Sequence, residues 1–246
     1  MVPRVIDDNG PLNPAEQASF HDNGFVVVDP LTTADELVAL RPAYDRLFEA
    51  GAVAASHRIE LSGTGLPQVL EVERYAPELG ESTAFRNASD VARQLLGPEA
   101  VPTGMHAIRK PARSGAETPW HQDEAYWNAD RDHFALSVWI PLQAVTEDNG
   151  CMQFQPGSNR LPVLDHRLVD PATEGLVLVD DSAVTDPVVC PLPLGGATVH
   201  GNRTVHYTGP NRSEEPRRAL IMSFACPSRA RVEPRTFHWQ RSDRSA

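Results

Sequence analysis

Basic residues are scarce in this sequence. Its 246 residues contain 22 Lys and Arg against 33 Asp and Glu, which gives a formal net charge of −11 at pH 7. A groove that binds nucleic acid needs a concentrated basic surface. The charge balance therefore predicts no nucleic-acid partner and favours a small-molecule ligand.

Cysteines and long apolar runs are also few. Cys151, Cys190 and Cys226 are odd in number and far apart, so they predict neither a disulfide framework nor a cysteine zinc site. No apolar run approaches the roughly 18 residues of a membrane span, and residues 1–8 lack the core of a signal peptide. We expect a protein of the reducing cytoplasm without a membrane partner; the sequence indicates no oligomeric state.

The pattern of the chain changes near residue 100. Three helices are predicted before it, over 14–21, 34–50 and 82–96, and Asn13 and Thr32 or Thr33 are candidate caps of the first two. A short strand is predicted at 25–28, and 62–67 is predicted to be a flexible loop. Short strands separated by turns follow, at 104–109, 119–123, 133–141, 150–156, 187–191, 197–200, 205–208 and 217–226. We predict one domain, 1–246, with a helical part at about 12–100 packed outside a β core at about 101–228.

The pair His121 and Asp123 carries the first chemical signal. Side chains two residues apart on an extended strand lie on the same side. His206 is the best candidate for a third ligand. Two histidines and one carboxylate that leave other coordination positions open are typical of non-heme Fe(II) oxygenases.

Arg217 adds a second signal, 11 residues after His206. The turn between the two residues predicts antiparallel strands, which would bring Arg217 back beside His206. A guanidinium group there could bind a carboxylate bidentately. The binding of 2-oxoglutarate requires a metal triad together with such a clamp. Arg218 is the competing clamp on the opposite face, and Lys110 is a further candidate contact for the co-substrate.

Several motifs resemble the phytanoyl-CoA dioxygenase family of Fe(II)- and 2-oxoglutarate-dependent oxygenases. They include Trp120-His121-Gln122-Asp123, Trp139-Ile140-Pro141-Leu142, Glu147-Asp148-Asn149-Gly150 and His206-Tyr207-Thr208-Gly209-Pro210-Asn211, leading to Arg217. The resemblance spans most of residues 12–226. It implies a mainly β fold with flanking helices, namely a double-stranded β-helix, or jelly roll, of the cupin-like barrel type.

The resemblance also implies roles for individual residues. His121, Asp123 and His206 correspond to the iron ligands, and Arg217 corresponds to the 2-oxoglutarate clamp. Thr208 would assist Arg217, and Gln122 and Trp139 match family positions near the co-substrate, all by resemblance alone. Candidate substrate contacts are Tyr126, Trp127 and His200; the last could instead support the metal ligands or pack in the core.

The implied reaction couples oxidation of a small metabolite to conversion of 2-oxoglutarate and O₂ into succinate and CO₂. Hydroxylation is the simplest outcome. Related halogenases have a small residue at the carboxylate position, so Asp123 disfavours halogenation. Two alternatives stay open: the same iron centre could catalyse cyclisation, epimerisation or desaturation in natural-product metabolism, or the roll could bind a metal or ligand without catalysis.

Overall fold

The three predicted helices are present, and the first two begin at predicted caps. The computed structural model describes residues 10–61 and 65–240, so the N-terminal residues 1–9 and positions 62–64 of the predicted loop lie outside the described residues. The five helices of the described residues are α1 Pro14–Asn23, α2 Ala34–Arg46, α3 Val72–Tyr75, α4 Pro77–Gly80 and α5 Thr83–Leu96. Asn13, Thr33 and Ser82 each accept a hydrogen bond from the backbone at the start of α1, α2 and α5. Helix α2 ends four residues earlier than predicted, and the one-turn helices α3 and α4 were not predicted.

Thirteen strands follow one another through the described residues. They are β1 Phe25–Val28, β2 Arg58–Glu60, β3 Pro67–Val69, β4 Val101–Lys110, β5 Thr118–His121, β6 Arg131–Pro141, β7 Met152–Phe154, β8 His166–Leu168, β9 Leu176–Leu178, β10 Val188–Cys190, β11 Ala197–Gly201, β12 His206–Thr208 and β13 Arg217–Ala230. Four of them, β2, β3, β8 and β9, have no counterpart in the sequence prediction. Each of the four is recognisable only by its pairing in the folded chain.

The strands form two main antiparallel sheets. The large sheet has the order β1-β11-β6-β13-β4-β3-β2, and the small sheet has the order β10-β7-β12-β5. A separate hairpin joins β8 to β9. Such a pair of sheets is the predicted double-sheet roll.

The two faces of the large sheet have different neighbours. On the outer face, Tyr44 of α2 and Val91 of α5 belong to one apolar core with Leu220 and Met222 of β13. The inner face turns toward the small sheet, and there Ile221 belongs to a second core. Alternation along β13 therefore sends even-numbered residues to the helices and odd-numbered residues, including Arg217, to the interior.

The predicted pairing of the last two strands is wrong. Strand β12 lies in the small sheet between β7 and β5, whereas β13 lies in the large sheet between β6 and β4. The chain between them crosses from one sheet to the other, and Asn211 bridges to Ser114 on the way. Arg217 consequently enters the interior from the sheet opposite His206.

Candidate active site

His121, Asp123 and His206 meet between the sheets. His121 ends β5 and lies directly opposite His206 on β12. The predicted strand stops two residues early, because Asp123 begins a 3-10 turn. Gln122 remains extended, with φ −122° and ψ 134°, so Asp123 still projects on the same side as His121. One potential ligand atom from each of the three residues lies within 4.8 Å of the others.

Backbone carbonyls orient both imidazole rings. Nδ1 of His121 donates to the Pro119 carbonyl at 2.7 Å, and Nδ1 of His206 donates to the Thr204 carbonyl at 2.8 Å. A carbonyl only accepts, so each proton sits on Nδ1 and each Nε2 is left with its lone pair. These Nε2 atoms lie 3.7 and 3.5 Å from Oδ1 of Asp123.

The protonation states suit a divalent cation. Burial lowers the pKa of His121 and of His206, so both rings are neutral at pH 7. Burial alone would raise the pKa of Asp123, but His206, His200 and His121 lower it by more, and the carboxyl is ionised. Two neutral imidazoles and one carboxylate are the donor set of a non-heme iron centre.

Two further side chains lie against the Asp123 carboxylate. Ser137 on β6 donates to Oδ2 at 2.9 Å. Nε2 of His200, on β11, lies 3.4 Å from the same oxygen. His200 is buried behind the carboxylate and against Phe154, at 5.4 Å between ring centroids. This position supports the metal ligands, and the lining of the adjoining cavity does not include His200; its role as a substrate contact stays a prediction.

Arg217 is a buried cation that has no hydrogen-bonding or ionic partner among the described residues. Its side chain is 1% exposed, and neither Nε nor Nη1 has a hydrogen-bond partner among the described residues. Burial lowers its pKa to about 10, so the guanidinium is still charged at pH 7. Leaving a buried charge uncompensated is costly. Arg217 thus fits a carboxylate ligand such as the far end of 2-oxoglutarate.

The surroundings of Arg217 agree with such a ligand. The guanidinium lies over the ring of Trp139, 5.3 Å from its centroid. The buried hydroxyls of Thr208 and Thr198 also lack hydrogen-bond partners among the described residues. Sequence reasoning missed Thr198, although its strand partner is Trp139. Arg218, on the opposite face, binds both carboxylate oxygens of Asp45 and is not available as a clamp.

Lys110 supports this region from the neighbouring strand. It pairs with Arg217 across β4 and β13, and its Nζ donates to the carbonyls of Thr208 and Gly209 at 2.8 and 2.5 Å. Burial, followed by the charge of Arg217, lowers its pKa well below the ordinary value. Lys110 therefore fixes the backbone that carries Thr208, and a direct contact with the co-substrate stays a prediction.

The structure gives Gln122 a different role from the predicted one. Its side-chain amide donates to the carbonyls of Pro162 and Arg203 and accepts from the backbone N–H of Leu164. Alternation sends this side chain away from the face that carries His121 and Asp123. Gln122 thus ties loops behind the metal ligands instead of contacting the co-substrate.

A cavity of about 530 Å³ opens beside His121 and Asp123. Tyr126 and Trp127, both predicted substrate contacts, line it. The lining also includes His106, which sequence reasoning missed. His106 lies four residues before Lys110 on one strand, and even spacing on a strand that carries an inward-facing Lys110 is a signal that could have found it.

The C-terminal segment, defined here as residues 231–240, packs against the turn that follows Asp123. Arg235 contacts the fully buried Glu124 at 2.7 Å, and Glu124 also pairs with Arg203 at 2.7 Å. Trp239 and Gln240 donate to the carbonyl of Ala125 at 2.9 and 3.1 Å. The residues that follow Asp123 are consequently held by the end of the described chain.

Replacing Arg235 with methionine is expected to lower the free energy of unfolding by roughly 2 kcal/mol, because a buried carboxylate loses one of its two cationic partners. Urea denaturation measures this change. Arg229→Met, at an exposed position on β13, is the control and should change stability by less than about 0.5 kcal/mol. Equal losses in the two variants would contradict the role given to Arg235.

Comparison with known proteins agrees with this geometry. The family model of phytanoyl-CoA dioxygenase (PhyH) matches residues 20–219. The crystal structure of EvdO2 from Micromonospora carbonacea var. aurantiaca complexed with 2-oxoglutarate is similar, with a TM-score of 0.83 and 35% identity over 94% of this chain and 98% of that chain. A probable alpha-ketoglutarate-dependent hypophosphite dioxygenase of Stutzerimonas stutzeri is 28% identical over 85% of this chain and 77% of that protein. An ectoine dioxygenase of Sphingopyxis alaskensis is 28% identical over 62% of this chain and 52% of that protein.

The jelly-roll fold and the dependence on iron and 2-oxoglutarate, both predicted from the sequence, are confirmed by these relationships. None of the helices in the described residues has the length and apolar character that crossing a membrane requires. The family match covers most of the chain. The chain therefore belongs to the phytanoyl-CoA dioxygenase family and is an iron- and 2-oxoglutarate-dependent dioxygenase.

Proposed function

We propose that His121, Asp123 and His206 hold the iron, that Arg217 and Thr208 hold 2-oxoglutarate, and that the enzyme hydroxylates a small molecule without anionic groups. The observation that carries the site assignment is the buried, unpartnered guanidinium of Arg217. It lies in the interior that also contains the three ligand residues, and only an anionic ligand compensates its charge.

Iron with 2-oxoglutarate and O₂ supplies the oxidising chemistry and releases succinate and CO₂. The protein contributes position and protonation state. Nδ1–H bonds to backbone carbonyls aim the rings of His121 and His206, and Ser137 holds the carboxylate of Asp123. That carboxylate fills the position that a halide would need, which supports hydroxylation over halogenation.

The cavity disfavours an anionic substrate. Its lining contains no Lys or Arg among the described residues and includes the carboxylates of Asp123 and Glu174, so it offers no partner for a phosphate or a coenzyme A moiety. The apolar wall includes Ile59, Leu61 and Leu176. A cavity of about 530 Å³ is within the usual range for a small organic ligand.

We further propose that the whole chain acts as one domain, because the described site draws on strands and turns from β4 to the C-terminal segment. The three free cysteines of the described residues, Cys151, Cys190 and Cys226, support a reducing cytoplasm. The net charge of −11 supports the absence of a nucleic-acid partner.

An anaerobic titration tests the site. Adding Fe(II) and 2-oxoglutarate to the protein should produce the weak visible charge-transfer band of the chelate, and air should then yield succinate. Zn(II) is the control metal, because it accepts the same ligands and has no such visible transition. A colourless protein that makes no succinate from 2-oxoglutarate would refute the proposal.

The mass of the product then shows which reaction the enzyme catalyses. Hydroxylation adds one oxygen atom to the substrate, desaturation or cyclisation removes two hydrogens, and epimerisation leaves the mass unchanged. Mass spectrometry of a substrate found by screening for succinate formation distinguishes these outcomes. We expect the gain of one oxygen.

A further inference from the structure

The cavity wall that the large sheet forms is polar, whereas the interior between two packed sheets is usually apolar. Ser137 on β6 lies directly opposite Ser223 on β13, and His106 on β4 lies opposite Ile221, two residues before Ser223. All three polar side chains line the cavity. They share the inner face of the large sheet with Trp139. Ser137 lies two residues from Trp139, Ser223 two residues from Ile221, and His106 four residues from Lys110, and each of these neighbours faces inward.

Only one of these three groups has a partner. Ser137 donates to Asp123 at 2.9 Å. Among the described residues, no hydrogen bond engages the side chain of Ser223 or His106, and both side chains are partly buried where they line the cavity. Both side chains are therefore free to form hydrogen bonds with a ligand that enters the cavity.

The hydrogen-bonding capacity of His106 and Ser223 determines which chemical groups they can bind. Burial lowers the pKa of His106 to about 4, so the ring is neutral at pH 7 and carries one N–H donor and one nitrogen acceptor. The Ser223 hydroxyl likewise donates and accepts. Neutral groups that can do both match a hydroxyl or carbonyl group, and they compensate neither a carboxylate nor an ammonium group.

We propose that Ser223 and His106 form a hydrogen-bonding subsite for an uncharged hydroxyl or carbonyl group of the substrate. The apolar remainder of the substrate lies against Ile59, Leu61 and Trp127. The subsite adjoins the carboxylate of Asp123 through Ser137, so it sets which part of the substrate is presented to the metal. The inference rests on the proposed function and makes Ser223 and His106 specificity-determining residues.

Three probes with one apolar skeleton test the subsite: adamantanol, adamantylamine and adamantanecarboxylate. They carry a neutral, a cationic and an anionic group. Each is titrated, anaerobically and at pH 7, into protein loaded with Fe(II) and saturating 2-oxoglutarate, and saturation-transfer NMR gives the dissociation constant. We expect adamantanol to bind at least about tenfold more tightly than adamantanecarboxylate. Adamantylamine can be attracted by the Glu174 carboxylate of the lining, and its affinity should not depend on Ser223 and His106.

The variants assign this preference to the two residues. Ser223→Ala and His106→Phe should each raise the dissociation constant of adamantanol about tenfold, the loss of one hydrogen bond. His106→Gln keeps a donor and an acceptor and should raise it by less than about threefold. Ser182→Ala, at an exposed position outside the cavity lining, is the control and should leave it unchanged.

The same samples separate the two proposals. A missing charge-transfer band refutes the proposed function, whatever the probes do. An intact band with no binding of adamantanol, with equal binding of all three probes, or with unchanged affinity in both Ser223→Ala and His106→Phe refutes the subsite alone. Thermal unfolding of each variant checks that it is folded, and His106→Gln repeats the test if His106→Phe is not.

Discussion

Replacing Arg217 with methionine is expected to raise the dissociation constant of 2-oxoglutarate at least about a hundredfold. Two charge-assisted hydrogen bonds contribute roughly 3 kcal/mol or more together, and about 2.7 kcal/mol corresponds to a hundredfold change. Because the guanidinium has two unpartnered buried nitrogens, its removal also relieves a cost in the ligand-free protein. The ligand-free variant should therefore be at least as stable as the wild type.

The charge-transfer band of the Fe(II) chelate measures the affinity for 2-oxoglutarate, and urea denaturation measures stability. Arg218→Met is the matched control, because Arg218 lies next in sequence but binds Asp45 on the other face of β13. That control should retain its affinity for 2-oxoglutarate. Undiminished affinity in Arg217→Met, or an equal loss in Arg218→Met, would show that the clamp lies elsewhere.

Replacing Asp123 with asparagine is expected to weaken Fe(II) binding at least about a hundredfold, since a metal site loses its single anionic ligand. The amide has almost the shape of the carboxylate, and its oxygen can still accept from Ser137. We therefore expect the variant to fold normally and to bind Fe(II) weakly. The loss of activity should equal the loss of bound iron.

Fe(II) binding in this variant is measured by competition with a chromophoric chelator under anaerobic conditions. Asp165→Asn, an exposed aspartate outside the cavity lining, is the control and should bind Fe(II) like the wild type. If Asp123→Asn kept full affinity for Fe(II), Asp123 would not be a ligand, and His200 would have to be considered in its place.

The metal triad was predictable because its first two members lie close in sequence. The spacing of His121 and Asp123 requires only an extended backbone to bring them together, and the backbone is extended at Gln122 even though β5 has ended. The surroundings of Arg217 were less predictable. A turn between two strands suggests a hairpin, but β12 and β13 find their partners in different sheets, and pairing between distant strands leaves no local signal.

Alternation along a strand predicts the face of the sheet on which a side chain lies, but it does not identify the residues that the side chain contacts. It correctly separates Arg217 from Arg218, whose contacts lie on opposite faces of β13. It could not show that the amide of Gln122 would meet the carbonyls of Pro162 and Arg203, because these loops reach it only in the folded chain. The three-residue strands β8 and β9 were missed for a related reason, since each is recognisable only by its pairing.

The C-terminal segment has a consequence for the order in which the enzyme is made. Translation reaches Asp123 halfway along the chain, His206 much later, and the contacts of Trp239 and Gln240 with the turn after Asp123 last of all. A chain shortened to end before residue 231 would keep His121, Asp123 and His206 but lose the contacts of the C-terminal segment with the turn after Asp123. We therefore expect such a chain to contain every proposed ligand and still hold that turn less firmly.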